Sequence, residues 1–517
     1  MMNEASNKSD VFHYISLAVI LILATFIRTT NLGSNPAGFF CDEADVGLQA
    51  YRILNPRPDV ENWLPVFFRC PGHCRDPVPI YSTVPFVAAF GLDELTTRIP
   101  FALYGSLQVL VLYLFANCLF GNRVALFSAM FVAISPWQIQ MSRMAMDAIP
   151  ALFWLTFGLY MLTLGRRNVY FYAPAVLGFI LAFFSYQPPK MYLPLVFAAF
   201  LGIFWPSTTR WLKSKTFWVT SLLGIGLMAL LLWGYISDGS AFTRWRQVQG
   251  SDASISRIVE GYKNHFTLDF LFRLGDSQFH GQGTTRHSIR GAGELYWFQL
   301  PPLLLSIFAF WSRGYQKRPL IFVLSLLLLY PIGSIFVTTN PFASRSVLGV
   351  LPFTILSAIG ADMVIRTFAA RAWRFAAALS ISAIAAAAST NYYQLLRDYP
   401  SYSSDYWGWQ YGFRQAITLL KNKEALNIYD ELRITHRFNG PDWLLDYYNV
   451  IFDCKKCISQ NNPIQIDITR KQYFVMRIDD VIEAQMRYPN LKFDLDEIIF
   501  LPNGKPELWG GTFVSSD

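Results

Sequence analysis

Apolar stretches long enough to cross hydrocarbon recur from residue 11 to about residue 388, and no other feature constrains this chain as tightly. Inside a bilayer every backbone N–H and C=O must be satisfied internally, so helices and closed barrels are the only spanning forms. Runs meeting or approaching the required length lie at 11–27, 99–120, 124–134, 149–164, 170–184, 191–205, 217–236, 295–311, 320–337, 347–365 and 375–388. They predict about eleven transmembrane helices, each needing about 20 apolar residues. The run at 78–90 is too short to cross and predicts a juxtamembrane or re-entrant helix. Charged residues make up 15% of the chain, well below the roughly 25% of soluble proteins, as a polytopic α-helical membrane protein requires. No small-residue cleavage site follows the first run, which predicts an uncleaved span.

The loops sort by charge. Arg123, Arg166-Arg167, the Arg210/Lys213/Lys215 loop, Arg313/Lys317/Arg318 and Arg366/Arg371/Arg374 fall on one side, which the positive-inside rule makes cytoplasmic. That parity holds only if 78–90 does not cross. Arg28, at the far end of the first span, dissents. The formal charge of +8 is thereby explained by topology, and no basic face interleaved with aromatics points to nucleic acid. The other face receives a long first loop (29–77), the loop 237–293 and the tail. Residues 1–390 read as the membrane domain. Residues 391–517 have ordinary charge content and short alternating runs such as Tyr473-Phe474-Val475-Met476, which predict a small soluble α/β domain on the outer face. Cys70 with Cys74, or Cys454 with Cys457, would form disulfides if those loops face an oxidising compartment.

Within the first loop stands Cys41-Asp42-Glu43-Ala44-Asp45, three acids in four residues at the lip of the membrane. Acids so placed are costly unless they line a wet cavity or serve chemistry. They also fit helix capping, with Asp42 as N-cap and Glu43 and Asp45 facing the positive end of the helix dipole. The same face carries Arg75-Asp76, Arg143 and Asp147, Lys190, His280, Arg286, His287 and Arg345. Each has a plainer reading: Arg143 and Asp147 are spaced for a local helical ion pair, and Lys190 can snorkel to headgroups. Their shared location favours a site that binds an anionic lipid head beside a base. No Gly-x-x-x-x-Gly-Lys-Ser/Thr loop and no Gly-x-Ser-x-Gly elbow occurs, so ATP-driven transport and serine hydrolysis lack their motifs.

The order of these features resembles the C-type (GT-C) membrane glycosyltransferases, specifically the family-39-like group related to protein O-mannosyltransferases and lipid A aminoarabinose transferases. The resemblance rests on Asp42-Glu43-Ala44 with Gly47 and Ala50, then Arg98-Ile99-Pro100 and Ser135-Pro136-Trp137 with Ser142-Arg143. Gly275-Asp276 to Arg286-His287-Ser288, Ser344-Arg345 with Pro352, and Tyr399-Pro400 complete it. It implies the GT-C fold and transfer of a sugar from a polyprenyl-phosphate donor to an acceptor hydroxyl, in the bilayer of a bacterial plasma membrane. Asp42 occupies the position of the family's base, with Glu43 beside it. Asp76, Arg143, Asp147, Lys190, Arg286 and Arg345 become the substrate-binding candidates. Some members bind a divalent metal, for which Asp76 and His287 are the nearest positions here. The His-Pro-Pro typical of protein mannosyltransferases is replaced by Arg75-Asp76-Pro77, which leaves the acceptor open. A transporter or flippase of lipid-linked sugars and a non-catalytic scaffold are the rival expectations.

Overall fold

The computed structural model describes residues 2–56, 65, 68–70, 73–237, 254–275, 286–336, 340–367, 385–406 and 408–515. Its first part is helical: α1 (Met2–Thr29), α2 (Cys41–Leu54), α3 (Pro77–Phe90), α4 (Glu94–Phe120), α5 (Asn122–Ile134), α6 (Pro136–Ser142), α7 (Ala148–Gly165), α8 (Tyr172–Phe183), α9 (Pro189–Ile203), α10 (Trp205–Thr208) and α11 (Lys215–Ser237). A two-stranded hairpin, β1 (Phe68–Cys70) and β2 (His73–Arg75), precedes α3. The longer helices begin and end where the sequence supplies the means. The Asp93 carboxylate accepts the Thr96 N–H at 2.6 Å to start α4, and Gly121 stops it in a left-handed conformation (φ 86°).

Four helices are long and apolar enough to span: Glu94–Phe120, Ala148–Gly165, Lys215–Gly234 and Val347–Thr367. Two bent pairs raise this to six, α5 with α6 (57°) and α9 with Trp205–Lys213 (86°). The expected count of about eleven is therefore not reached among the described residues. Proline is one physical reason, since it removes an N–H and clashes with the preceding turn. Pro136 and Pro206 sit at the two bends, Pro301 and Pro302 shorten the run at 295–311, and Pro331 turns the helix Lys317–Leu329 into a 3₁₀ segment. Most of the run expected over 375–388 lies outside the described residues. The 14-residue α3, about 21 Å long, is too short to span, as expected.

The helices differ in what they face. Val347–Thr367 buries 78% of its apolar window inside the protein, whereas Lys215–Gly234 buries none of it. The second therefore lies at the periphery of the described helices. Arg28 ceases to dissent: it is fully buried, bonded through Nε to Gln138 at 2.8 Å and through Nη1 to the carbonyls of Ala24 and Ala133 at 2.9 Å. It is an internal strut and not a loop cation.

The C-terminal part is the expected α/β domain. Five strands, β3 (Glu431–Ile434), β4 (Cys457–Ser459), β5 (Gln472–Met476), β6 (Leu491–Phe500) and β7 (Pro506–Ser515), lie in the order β4-β3-β5-β7-β6. The first three are parallel and the last two join antiparallel. Central β5 is buried along its whole length, as a strand covered on both faces should be. Cys454 and Cys457 form a disulfide; the Cys70 and Cys74 side chains are outside the described residues.

This domain rests on the acid-bearing helix. Its helix Pro441–Phe452 packs along α2, with Tyr447 against Phe39 at 4.9 Å and Arg52 paired to Asp446 at 3.0 Å. Arg414 pairs with Glu94 at 3.0 Å. Gly38 (φ 98°) is needed at this junction, because a Cβ there would lie 2.3 Å from the Trp409 carbonyl oxygen.

Candidate active site

The site begins at the first turn of α2. Phe40, not Asp42, occupies the N-cap, and Asp42 is the second helical residue, so the capping role expected of Asp42 is corrected. Glu43 supplies part of that role, accepting the Phe40 N–H at 3.3 Å. Adjacent helical residues point about 100° apart, and the two acids diverge accordingly. Glu43 turns inward and is fully buried, taking Nε and Nη2 of Arg98 at 2.8 Å each and the Ala145 N–H at 2.9 Å. Arg98 spends its remaining N–H groups on the carbonyls of Leu32, Pro36 and Gly38. Asp42 keeps 32% of its side chain exposed and faces a cavity of about 260 Å³.

Three carboxylates meet one guanidinium at that cavity. Arg75, only 5% exposed, donates from Nη2 to Asp42 at 2.9 Å, from Nε to Asp45 at 2.7 Å and from Nη1 to Asp147 at 3.5 Å. Strand β2 delivers Arg75, α2 delivers the first two acids, and the turn before α7 delivers the third. Asp76, the N-cap of α3, accepts Lys190 Nζ at 2.6 and 2.8 Å and Gln187 Nε2 at 3.1 Å. Burial pushes its pKa up, against the pull of Lys190 and Arg75. The cations come from later loops. The Arg286 guanidinium lies 3.7 Å over the Phe40 ring and that of Arg345 lies 4.4 Å over Phe342, against which His287 also packs.

Short α6 holds these loops in place. Ser135 caps it, accepting the Gln138 N–H at 3.3 Å, and Pro136 opens it. Gln140 donates to the Arg286 carbonyl at 2.7 Å and Trp137 to the Ala343 carbonyl at 2.9 Å. The Ser135-Pro136-Trp137 motif is thus a bracket for the cations.

Of the residues predicted from sequence, Asp42, Asp76, Asp147, Arg286, His287 and Arg345 line the one cavity. Lys190 reaches it through Asp76. Glu43 and Arg143 do not line it. Arg143 is buried, with Nη1 and Nη2 on the carbonyls of Ile27, Thr30 and Asn35, and the expected ion pair with Asp147 is absent because Asp147 pairs with Arg75. His280 lies outside the described residues. Arg75 and Asp45 were placed on this face from sequence but not among the substrate-binding candidates; the available signal was one arginine in the same loop as three closely spaced acids.

Asp76 and His287 share the cavity, but the Lys190 ammonium takes both Asp76 oxygens. Among the described residues no group of three or more His, Cys, Asp or Glu side chains is placed to hold a metal ion. Asp76 and His287 as they stand do not make a divalent-ion site, which takes about six ligands.

Asp147 titrates unusually. Burial, aided by Asp76, Asp42 and Asp45 and opposed by Arg75, raises its pKa to about 7. A carboxyl that binds its proton more tightly folded than unfolded weakens the fold as pH rises from its unfolded value near 4 to about 7. Asp147→Asn should therefore melt higher than the native protein above pH 7, and the difference should vanish near pH 4. Melting curves across that range check it; a constant difference would remove the titration.

Comparisons with known proteins agree with this architecture. The family model for dolichyl-phosphate-mannose-protein mannosyltransferase matches residues 75–233. The archaeal oligosaccharyltransferase AglB from Archaeoglobus fulgidus, solved with an inhibitory peptide and a dolichol-phosphate, superposes with a TM-score of 0.54 at 14% identity, covering 98% of this chain and 75% of that one. ArnT from Cupriavidus metallidurans bound to undecaprenyl phosphate gives 0.51 at 12% identity, covering 95% and 97%. A structure of the Archaeoglobus enzyme with Zn and sulfate gives 0.50 at 14% identity, covering 95% and 72%. No curated protein matches the sequence significantly. The fold is that of the GT-C membrane enzymes, as the sequence resemblance implied.

Proposed function

We propose that this chain, a GT-C membrane protein related to the protein mannosyltransferases and to ArnT, transfers a sugar from a polyprenyl-phosphate donor to an acceptor hydroxyl. One observation carries the reading: a partly exposed carboxylate, Asp42, shares a small cavity with two arginines, Arg286 and Arg345, from separate loops. A base alone would suit many reactions. A base beside cations suits displacement of a phosphate, because the nucleophile must lose a proton while the leaving group gains charge. The relatives support the donor class, since their structures hold undecaprenyl phosphate and dolichol-phosphate.

In the proposed reaction Asp42 takes the proton of the acceptor hydroxyl as its oxygen attacks the anomeric carbon. The bond from that carbon to the phosphate oxygen breaks, and the polyprenyl phosphate leaves with the electron pair. Arg286 and Arg345 hold its charge. Arg75 fixes the orientation of the Asp42 carboxylate, and Lys190 acts through Asp76 instead of meeting the phosphate directly. The resemblance implies inversion at the anomeric carbon.

The cavity and the C-terminal domain belong, in this reading, to the outer face of a bacterial plasma membrane. Helix α7 supports the orientation, with Asp147 before its first residue and Arg166-Arg167 after its last, as the positive-inside rule places them. Sealed vesicles of known sidedness, loaded with polyprenyl-phosphate sugar, test both parts. Product should form only when the acceptor is supplied on the outer side. Translocation of donor without any transferred sugar would make the protein a flippase instead.

A further inference from the structure

At the end of α7 away from the cavity lies a second charged surface that the proposed reaction does not use. Arg166 and Arg167 follow that helix, and Arg318 lies in the first turn of the helix Lys317–Leu329. Arg166 is half-buried, its guanidinium 4.1 Å over the Phe204 ring and its Nε bonded to Ser207 Oγ at 3.2 Å. The same Phe204 ring packs against Phe322, one turn along the helix from Arg318, at 5.9 Å, which brings Arg318 to this end of α7; burial, with the charges of Arg167 and Arg318, pushes the Arg166 pKa down. No carboxylate offsets them: the chain has no Asp or Glu between Asp147 and Asp238, and no described ion pair involves Arg166, Arg167, Arg318, Arg210 or Lys213. Three guanidiniums gathered at this end of the helices without an anion repel one another, a cost that a bound phosphate would remove.

The surroundings say where that phosphate comes from. After α9 the segment Trp205–Lys213 turns through 86°, leaving the direction of the helix before it. The ledge is tied back to α7 by Trp211 Nε1, which donates to the Gly165 carbonyl at 2.8 Å. It exposes Trp205 (57%) and Leu212 (48%) beside the exposed Arg210 and Lys213. Tryptophan and cations on one short segment are the composition of a chain lying in the headgroup plane. The 18 residues of α7 put this ledge about 27 Å from Asp147, close to the thickness of the hydrocarbon core.

We infer that Arg166, Arg167 and Arg318, with the ledge Trp205–Lys213 as their rim, bind the phosphate headgroup of an anionic membrane lipid on the face opposite the cavity. The lipid's phosphodiester offsets the guanidiniums, and its acyl chains lie along the exposed apolar rim. This site is independent of sugar transfer.

The test is lipid retention by the full chain in detergent, read by native mass spectrometry against phosphatidylglycerol and phosphatidylcholine. The native protein should retain phosphatidylglycerol selectively. Arg318→Gln, at an exposed position, should weaken that retention about fivefold, and Arg166→Gln with Arg318→Gln about thirtyfold, following the usual effect of one cation near an anionic surface. Lys471→Gln in the C-terminal domain should change nothing. Equal retention of the two lipids, or retention unaltered in Arg318→Gln and in the double variant, would overturn the site. Inorganic phosphate that displaces the lipid at equal concentration would overturn the lipid as its ligand.

Discussion

Asp42→Asn should fold, insert and bind donor, yet lose about 10²–10⁴ of its turnover, the usual effect of removing a general base. The expectation of normal folding is structural. Asp42 does not cap α2, since Phe40 occupies that position, so losing its charge removes only a first-turn dipole contribution of about 0.3–1 kcal/mol. An asparagine oxygen can still accept from Arg75 Nη2, which keeps its links to Asp45 and Asp147. What asparagine cannot do is take a proton. The loss should therefore appear in turnover at saturating donor, with donor affinity and melting temperature close to native. Asp147→Asn is the informative companion, because Asp147 lines the same cavity and bonds the same arginine. If Asp147→Asn abolishes turnover while Asp42→Asn spares it, the base is Asp147. Native turnover in both variants would remove the chemical support for the transferase reading.

How far the site could be read from sequence depended on whether a residue's partner was local. Asp42, Asp76, Arg286 and Arg345 were recognisable because polar residues at a membrane face need a reason, whatever they touch. Arg143 misled, since four residues from Asp147 is the spacing of a helical ion pair. Yet Arg143 caps the end of α6, and Asp147 lies beyond a turn, so the spacing is not helical. The carbonyls that Arg143 holds are over a hundred residues distant and have no signature in a sequence. Lys190 was read as a phosphate ligand because its counter-ion, Asp76, lies 114 positions away. The number of spans is legible only in part from sequence, for a related reason. Hydropathy registers composition and ignores proline, and several apolar runs break or bend at a proline. The C-terminal sheet was legible because short runs such as Tyr473-Phe474-Val475-Met476 stand apart from the long apolar stretches, although this run is buried on both faces instead of alternating.

Glu43 should fail in the opposite way from its neighbour. Glu43→Ala leaves the Arg98 guanidinium, itself fully buried, without its carboxylate, and breaking one side of a buried ion pair costs about 3–5 kcal/mol. That is a large part of the roughly 5–15 kcal/mol by which folded domains are usually stable, so yield and melting temperature should fall sharply. The damage should not stop at the pair. Arg98 holds three carbonyls of the chain leading into α2, and Glu43 holds the Ala145 N–H of the segment leading to Asp147. One ion pair thus ties together the two segments that carry the cavity's acids. Replacing both partners, Glu43→Leu with Arg98→Met, separates charge from tether. An apolar pair of similar size can match or exceed a buried ion pair. The freed carbonyls and N–H would still lack partners, each at about 1–3 kcal/mol. Thermal melting in detergent should therefore show partial recovery in the double variant. Full recovery would mean that only the unpaired charge mattered. The milder Glu43→Gln keeps an acceptor for Arg98 and should retain turnover per folded molecule. If it melts like the native protein but is inactive, Glu43 and not Asp42 is the base.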